Sequence, residues 1–522
     1  MLRKIRIALA AVFFIAITLM FLDFTGTLHA WFSWMAKLQF LPAVLAANVG
    51  VIVLLCVVTL VFGRCYCSVI CPLGVYQDIV SNLSGRRKGK KMRFTPSKEM
   101  KWLRYGVWAL FVVAVIAGIH ALVGLLAPYS TYGRFVQSVL APLYQWGNNF
   151  FAWIARRAGG YAFYPKEVWL KSLPTLLAVV AMMVVITILA WKNGRTYCNT
   201  VCPVGTTLSF LSRFAMFRPV IDTAKCKDCH VCEKKCKASC IDIAAHKVDY
   251  SRCVDCFDCI DNCKFGAMDY RFAWGKQIPS PAAQVRNDNA SAQVRNDNAS
   301  AQARNDSAEV EAEGAGRRAF VATSAFVLGS AALRAQEKKL DGGLADLVAK
   351  KQPERATRVV PFGSKSVKDF YKRCTACQLC VSACPNNVLR PSSDLAHFMQ
   401  PEMSFERGYC RPECVKCSEV CPAGAIERIT PEEKTALHVG VASVQRDLCI
   451  VNRDGVQCNN CERHCPAGAI MMVPKEPGNP DSLMIPTVNE SLCIGCGACE
   501  NLCPSNPISA IRVNGIEQHI RN

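Results

Sequence analysis

Residues 226–236 read CKDCHVCEKKC and residues 253–263 read CVDCFDCIDNC, two runs that space their cysteines as C-x2-C-x2-C-x3-C. In bacterial ferredoxins with this spacing, the first three thiolates bind one [4Fe–4S] cluster and the fourth binds the neighbouring cluster. The runs therefore predict an α+β ferredoxin-like module with two clusters. The expected ligands are Cys226, Cys229, Cys232 and Cys263 for one cluster, and Cys253, Cys256, Cys259 and Cys236 for the other. Lys237 and Lys264 replace the usual proline, a minor departure that removes no ligand.

Four further cysteine runs follow in the second half of the chain and predict a second, four-cluster ferredoxin-like domain. Two have the standard spacing, one widens the first gap by one residue, and one widens it to eight residues. Widening lengthens a loop without changing the number of ligands. The cysteines of these runs are Cys374, Cys377, Cys380 and Cys384; Cys410, Cys414, Cys417 and Cys421; Cys449, Cys458, Cys461 and Cys465; and Cys493, Cys496, Cys499 and Cys503.

Zinc is the alternative occupant of a four-cysteine site. Zinc sites usually pair two C-x2-C knuckles across a longer loop, whereas here the cysteines recur in short runs. Six [4Fe–4S] clusters are therefore predicted, and they use 24 of the 31 cysteines. Such closely spaced thiols would bridge poorly as disulfides, so the clusters are expected to be loaded in the reducing cytoplasm. Chains of clusters pass single electrons, and no motif supplies a substrate pocket, so the sequence predicts electron transfer.

Apolar stretches in the first half of the chain predict a membrane domain of four helices. Each is close to the ~20 residues that cross the hydrocarbon core as a helix. Ten Lys and Arg residues lie between Arg64 and Arg104, whereas Asp23 to Pro42 contains only Lys37. This asymmetry is the positive-inside pattern, and it explains the net charge of +21 better than nucleic-acid binding does. A cleaved signal peptide is the alternative for the first stretch, but no small-residue cleavage site follows it. The stretches are about residues 5–22, 43–62, 106–126 and 173–191.

An internal repeat follows the second and fourth apolar stretches. The pattern GR-x-YC-x3-CP-x-G occurs at residues 63–74 and again at 194–205, an offset of 131 residues. With the N-terminus inside, both copies lie at the cytoplasmic surface, and duplication should bring their cysteines together. Our hypothesis is that four cysteines form a shared metal, cluster or dithiol site; the alternative is that each CP only caps the next helix. These cysteines are Cys67, Cys71, Cys198 and Cys202.

Several residues of the first half remain outside these motifs. Cys56 and Cys240 are expected to serve packing. His120 lies within an apolar stretch, where packing or a quinol contact is favoured over haem because no second histidine completes a pair. Three nearby residues could line a quinone pocket or anchor the chain at the membrane interface; they are Tyr129, Tyr132 and Arg134.

The middle of the chain is a polar repeat followed by a paired arginine. AQVRNDNAS occurs at residues 283–291 and 292–300, a composition that predicts a flexible linker. Arg317 and Arg318 then precede a short apolar segment, which resembles a twin-arginine export signal; a basic flank on a short helix is the alternative. The predicted domains are a membrane domain (1–215), a two-cluster module (216–275), a linker (276–315), a twin-arginine-like segment (316–335) and a four-cluster domain (336–522).

These motifs resemble the ferredoxin-type pair of periplasmic nitrate reductase systems. Residues 1–270 are similar to the membrane quinol-dehydrogenase subunit, and residues 316–522 are similar to its twin-arginine-exported polyferredoxin partner. The resemblance implies that electrons pass from quinol to a periplasmic reductase or cytochrome, with the first clusters in the cytoplasm and the last four in the periplasm. Fusion of the two partners departs from the family pattern.

The resemblance also implies how the last four runs share their cysteines. It implies cluster ligand sets Cys374, Cys377, Cys380 and Cys503; Cys493, Cys496, Cys499 and Cys384; Cys410, Cys414, Cys417 and Cys465; and Cys449, Cys458, Cys461 and Cys421. Two other functions stay open. One is copper handling or redox sensing by the Cys-x3-Cys-Pro pairs, and the other is assembly of a reductase.

Overall fold

The computed structural model describes residues 1–23, 26–85, 94, 99–160, 163–274 and 349–521. The predicted linker and the twin-arginine-like segment lie outside the described residues. Helices dominate the first part of the chain, here called the helical domain (residues 1–215). They are α1 (Leu2–Leu22), α2 (Thr27–Lys37), α3 (Phe40–Leu45), α4 (Val49–Phe62), α5 (Cys65–Val69), α6 (Pro72–Gly85), α7 (Lys101–Ala117), α8 (His120–Leu126), α9 (Pro128–Phe135), α10 (Ala141–Arg157), α11 (Leu173–Asn193), α12 (Thr196–Thr200) and α13 (Pro203–Ser212).

The four predicted spans are found in part. Within the described residues, α1 and α11 are long and apolar enough to cross a membrane, judged by length and composition alone. The second stretch divides into α3 and α4, because Ala47 between them has a left-handed backbone, with φ of 52°. The third divides into α7 and α8 at Gly118, whose φ of 76° ends the first helix. The predicted bundle of four spanning helices is therefore not confirmed.

The ferredoxin module (residues 216–274) is small and mixed α+β, as the cysteine spacing predicts. Its outer strands β1 and β4 pair antiparallel, with Phe217 opposite Phe272. The cysteine runs lie between these strands, and the short helix within one run packs against the short helix within the other. The elements are β1 (Phe217–Ile221), α14 (Val231–Lys235), β2 (Ile241–Asp242), β3 (Lys247–Val248), α15 (Asp258–Asp261) and β4 (Met268–Phe272).

In the C-terminal module (residues 349–521), the plan with outer strands recurs around the last two cysteine runs, between β7 and β10. Its longest sheet pairs β7 with β10, and shorter antiparallel pairs join β5 to β6 and β8 to β9. The elements are α16 (Val367–Arg373), α17 (Leu379–Ala383), β5 (Leu389–Pro391), β6 (Pro401–Met403), α18 (Lys416–Val420), α19 (Pro431–Thr435), β7 (Leu437–Val444), α20 (Ile450–Arg453), α21 (Asn460–Arg463), β8 (Ile470–Pro474), β9 (Met484–Val488), α22 (Ala498–Leu502) and β10 (Ile511–Arg521).

The four runs of standard spacing share one backbone feature. In each, the second and fourth residues after the first cysteine have a positive φ, which curls the chain so that successive cysteines face a common centre. Outside glycine this conformation costs about 1 kcal/mol or more per residue, so the wrapping is built in locally. The residues are Asp228 and His230, Asp255 and Phe257, Ala376 and Gln378, and Gly495 and Gly497.

Candidate iron–sulfur sites

The ferredoxin module brings cysteines of its two runs together. Cys259 lies near the thiols of Cys256, Cys253, Cys236 and Cys232. Cys232 lies beside Cys226 and Cys229, the first two ligands of the other predicted set. The fourth cysteine of the first run therefore turns to the cluster of the second run, which is the exchange expected of two-cluster ferredoxins.

The C-terminal module pairs its runs differently from the family pattern that the resemblance implied. The thiol of Cys380 lies beside Cys374, Cys377 and Cys421. Cys417 has Cys410, Cys414 and Cys384 as neighbours. Two cavities are each lined by four cysteines. One is ringed by Cys465, Cys493, Cys496 and Cys499, and the other by Cys449, Cys458, Cys461 and Cys503.

These contacts correct the implied ligand sets. The fourth cysteine of each run lies with a different set of ligands from the set that the resemblance implied. The reassigned cysteines are Cys384, Cys421, Cys465 and Cys503. The reason is local packing: α17 packs on α18, and α21 packs on α22, so each run exchanges its fourth cysteine with the run adjacent in the sequence. The donor chemistry fits four [4Fe–4S] clusters, each held by four thiolates.

The duplicated motif forms one buried four-cysteine site. Cys202 lies among the thiols of Cys198, Cys71 and Cys67, and all four side chains are at most 5% exposed. The prediction that duplication brings these cysteines together therefore agrees with the structure. Both motifs start a short helix after a glycine turn, α5 after Gly63 and α12 after Gly194, so each pair is presented in the same way.

The arginine of each repeat forms a hydrogen bond to the other repeat. Arg64 Nη2 donates to the Cys198 carbonyl oxygen at 3.2 Å, and Arg195 Nη1 donates to the Cys67 carbonyl oxygen at 2.6 Å. The last glycine of each motif makes room for this crossing. A Cβ atom on Gly74 would lie 2.7 Å from Arg195 Nη1, and one on Gly205 would lie 2.7 Å from Arg64 Nη2. The arginines and last glycines of the two repeats thus form a four-cysteine site with pseudo-two-fold symmetry, so the motifs do more than cap two helices.

Hydrogen-bond donors reach the sulfur atoms of this site. Gln77 Nε2 lies 3.3 Å from Cys198 Sγ, and the Gly205 amide lies 3.4 Å from Cys202 Sγ. Arg64 Nη2 lies 3.8 Å from Cys67 Sγ. Donors to sulfur stabilise thiolates and tune the potential of a bound iron–sulfur cluster.

A buried ion-pair network joins the helical domain to the ferredoxin module. Asp78 accepts hydrogen bonds from Arg6 at 2.8 Å and from Arg195 at 2.8 and 3.0 Å. Lys237 Nζ lies 3.6 Å from Asp78 and 2.9 Å from Asp258. Burial alone would raise the pKa of Asp78, but the surrounding cations outweigh it and hold the pKa well below its usual range.

Lys237 is therefore more than the minor departure that the sequence suggests. Its side chain is 1% exposed and bridges an acid of each domain. Its backbone carbonyl also accepts from the Arg195 amide at 2.9 Å. Only the three-dimensional contact reveals this role, although a charged residue at a position usually held by proline was a visible sign.

The C-terminal module packs on the opposite end of the helical domain from the ferredoxin module. Arg3 and Arg6, at the start of α1, contact Asp258 and Asp78. At the far end of α1, the ring of Phe21 and the carbonyl oxygen of Cys377 both pack against Gly133 of α9. A Cβ atom added to Gly133 would lie 2.7 Å from that oxygen.

The aromatic and charged residues of α9 lie in this second contact. Tyr129, Tyr132 and Arg134 are at most 2% exposed, so they do not anchor the chain at a membrane interface. Arg134 and Tyr129 both interact electrostatically with Cys377. His120 is also buried, and both its ring nitrogens lack a hydrogen-bond partner in the structure.

A cleft opens between the helical domain and the C-terminal module. It has a volume of about 50 Å³ and is lined by residues that include Gln137, Trp169, Lys171, Thr175 and Gln378. Three buried side-chain atoms on its walls have no hydrogen-bond partner in the structure: Gln137 Oε1, Thr175 Oγ1 and Gln378 Oε1. This volume is well below the roughly 300–1,000 Å³ of small-molecule pockets.

Two further cysteines and one group of possible metal ligands lie in the first half of the chain. Cys240 is buried with its sulfur 3.4 Å from Cys236 Sγ, and Cys56 lies on α4. Within the described residues, Cys226, Asp228 and His246 form a group whose ligand atoms all lie within 4.8 Å of one another. Since Cys226 belongs to a predicted cluster, this group is not a separate site.

Family models match most of these features. One described as a 4Fe-4S binding domain matches residues 45–91 and 175–220, which contain the two repeats. Models described as 4Fe-4S dicluster domains match residues 373–443 with 456–506, and residues 249–388. The adjacent runs of the C-terminal module thus fall within dicluster matches, in agreement with the pairing seen in the structure.

Sequence relatives establish the family to which the chain belongs. The chain is 33% identical over 202 residues to the methylamine utilization ferredoxin-type protein MauM of Methylobacillus flagellatus, covering 38% of this chain and 79% of that protein. The chain belongs to the MauM/NapG family of ferredoxin-type proteins. It is 30% identical over 179 residues to the ferredoxin-type protein NapG of Escherichia coli, covering 31% of this chain and 75% of that protein. No solved structure matches this family member. It is an iron–sulfur electron-transfer protein, which confirms the resemblance found in the sequence.

Proposed function

We propose that the chain is a membrane-bound conduit that passes electrons from the quinol pool through six [4Fe–4S] clusters to a redox partner in the periplasm. The observation that carries this proposal is the placement of the two cluster modules at opposite ends of α1. A helix of 21 residues is about 31 Å long, which is close to the thickness of the hydrocarbon core.

The surface of the helical domain supports a membrane location. Apolar side chains point outward on all four predicted spans, for example Val12 of α1, Val53 of α4, Ile116 of α7 and Val185 of α11. Many exposed apolar side chains on a helical domain are unusual for a soluble monomer and are expected against lipid. Phe94, the described residue between α6 and residue 99, donates its amide to the Lys234 carbonyl oxygen of the ferredoxin module at 2.8 Å, so we assign the ferredoxin end and the basic sequence around Phe94 to the cytoplasm.

The C-terminal module is then assigned to the periplasm. A crossing between the two modules is needed, and residues 316–335, with the paired arginine, are the segment that would provide it. A periplasmic reductase or cytochrome is the proposed acceptor. Burial of the four-cysteine site disfavours the alternative of copper handling, because a metal carrier needs accessible thiols.

Reduction of the purified protein by quinol tests this function. The full chain is purified anaerobically in detergent, analysed for iron and sulfide, and mixed with a menaquinol analogue while cluster reduction is followed by EPR. We expect quinol to reduce the clusters. Clusters that are intact but not reduced by quinol would refute the proposal.

Topology is tested separately. A C-terminal reporter is compared in cells with and without the twin-arginine translocase. A periplasmic reporter that depends on the translocase is expected, and a cytoplasmic reporter in both strains would overturn the assignment of the C-terminal module.

A further inference from the structure

One ligand loop of the C-terminal module is held in a different way from those of standard spacing. In the run from Cys410 to Cys421, the first gap between cysteines is one residue wider. Over residues 410–421, all of which the structure describes, no residue has the positive φ that curls the standard runs. Another contact must therefore keep Cys410 and Cys414 directed at a common centre.

Lys434 of α19 makes that contact. Its Nζ lies 3.2 Å from Cys410 Sγ and donates to the carbonyl oxygens of Arg411 and Cys414, both at 2.5 Å. These three acceptors match the three N–H bonds of an ammonium group. They come from both ends of the widened loop, so a single amine closes it.

The charge of Lys434 is buried beside the ligands. Its side chain is 1% exposed, and its Nζ lies 4.9 Å from the centroid of the Phe362 ring. It interacts electrostatically with Cys410 and with Cys417 of the same ligand set. Because water is excluded from this contact, the positive charge is weakly screened and acts strongly on a cluster bound there.

The cluster of this loop links the two halves of the C-terminal module. On one side, α17 packs on α18, and exchange of the fourth cysteines joins it to the cluster of Cys374. On the other side, the Cys410 amide donates to the Cys496 carbonyl oxygen at 3.0 Å, and Cys496 is a ligand of the next predicted cluster. Lys434 therefore acts on the cluster through which the two halves connect.

A cation that donates to a ligand sulfur favours the reduced cluster. Reduction adds one electron and makes the cluster and its sulfurs more negative. A buried ammonium at 3.2 Å stabilises this more negative state more than it stabilises the oxidised state. The reduction potential of the cluster rises as a result, in the way that hydrogen bonds to sulfur are known to act.

We propose that Lys434 is a positioning residue that closes the widened ligand loop and raises the reduction potential of the cluster held by Cys410, Cys414, Cys417 and Cys384. The cluster gains one electron when a neighbouring cluster loses one, and no bond forms or breaks. The raised potential favours residence of an electron at the link between the two halves. This part in electron flow rests on the proposed function, whereas the effect of Lys434 on the potential does not.

The test is a redox titration followed by EPR on the full chain, purified anaerobically and reduced with dithionite in the presence of mediators. The cluster is identified by the signal that Cys417→Ser lacks. Lys434→Met keeps the length of the side chain and removes its charge. Because hydrogen bonds to charged groups are strong, we expect the ratio of reduced to oxidised cluster at a fixed potential to fall about tenfold, equal to 59 mV for one electron.

The direction of the shift separates charge from structure. A loop that is merely loosened admits water, which favours the more charged reduced state and raises the potential. The matched control is Lys365→Met, which removes a lysine of the same module that pairs with Glu427 at 2.9 Å, with both side chains about half exposed; it should leave the potential unchanged. An unchanged or higher potential in Lys434→Met, or an equal fall in Lys365→Met, would overturn the proposal.

The wild-type protein decides the question if Lys434→Met loses the cluster. The chain is labelled with lysine that carries ¹⁵N only at Nζ, and the reduced protein is studied by pulsed EPR. A ¹⁵N coupling to the signal that Cys417→Ser lacks is expected, and its absence would overturn the proposal. Failure of quinol to reduce the clusters would refute the proposed function but leave both the titration with dithionite and this coupling unchanged.

Discussion

The buried carboxylate of Asp78 should stabilise the helical domain where it meets the ferredoxin module. It pairs with two buried cations of the helical domain, Arg6 and Arg195, and its third partner, Lys237 of the ferredoxin module, also pairs with Asp258. The substitution Asp78→Asn keeps the shape of the side chain and removes its charge. Because Arg6 and Arg195 stay buried after losing this counter-charge, we expect a loss of about 3–5 kcal/mol in the free energy of unfolding of the helical domain. This corresponds to a factor of roughly 10² to 10⁴ in the unfolding equilibrium.

The matched control is Asp261→Asn. Asp261 pairs with Arg3 at 2.7 Å, but both side chains are more than a third exposed. A surface pair of this kind contributes roughly 0–1 kcal/mol. The assay is hydrogen exchange of α1 and α6, which carry Arg6 and Asp78, in the detergent-solubilised protein, together with the rate at which clusters are lost on warming. The reasoning is refuted if Asp78→Asn and Asp261→Asn exchange and lose clusters at the same rate.

The pH dependence of this contact follows from the same carboxylate. Because its pKa in the folded protein is lowered, the stabilisation is present above the pKa of the unfolded chain, about 4, and is lost as the pH falls below it. The difference in exchange between wild type and Asp78→Asn should therefore stay constant from pH 5 to pH 8. A difference that declines across this range would contradict the pairing.

Three further predictions test other contacts. Gly74→Ala should disrupt the four-cysteine site and lower the purification yield and iron content, because its Cβ would meet the guanidinium of the other repeat. The control Gly147→Ala, whose Cβ would meet no atom within 4 Å, should give the yield and iron content of the wild type. Cys421→Ser and Cys374→Ser should remove the same cluster from the EPR spectrum; loss of different clusters would contradict the pairing seen in the structure. Arg134→Met should lower the potential of that cluster by tens of millivolts in a redox titration, because a buried positive charge beside it is removed; an unchanged potential would contradict the contact.

The iron–sulfur character of the chain could be predicted from the sequence because the cysteine motifs are local. Three ligands of each cluster lie within one run, and the backbone turns that present them are set by residues between the cysteines. The exchange of the fourth ligand in the ferredoxin module also follows from two adjacent runs. The meeting of the repeated cysteines was an expectation from duplication, and the structure agrees with it.

Other features depend on contacts that the sequence does not display. The family pattern gave the wrong partner to Cys503 and Cys384, because partner choice depends on which short helices pack together. Lys237 looked like a neutral replacement of proline, although it is a buried bridge between two domains. The apolar stretches predicted four uninterrupted spans, but left-handed residues at Ala47 and Gly118 divide two of them.

One measurement tests the central claim most directly, that electrons cross the helical domain between the two cluster modules. The full chain is reconstituted into sealed vesicles, and dithionite, which does not cross the bilayer, is added to the outside. The clusters of both modules are then followed by EPR in molecules of known orientation. The account predicts reduction of the clusters on both sides. Reduction confined to the outer clusters of the wild-type protein would contradict it.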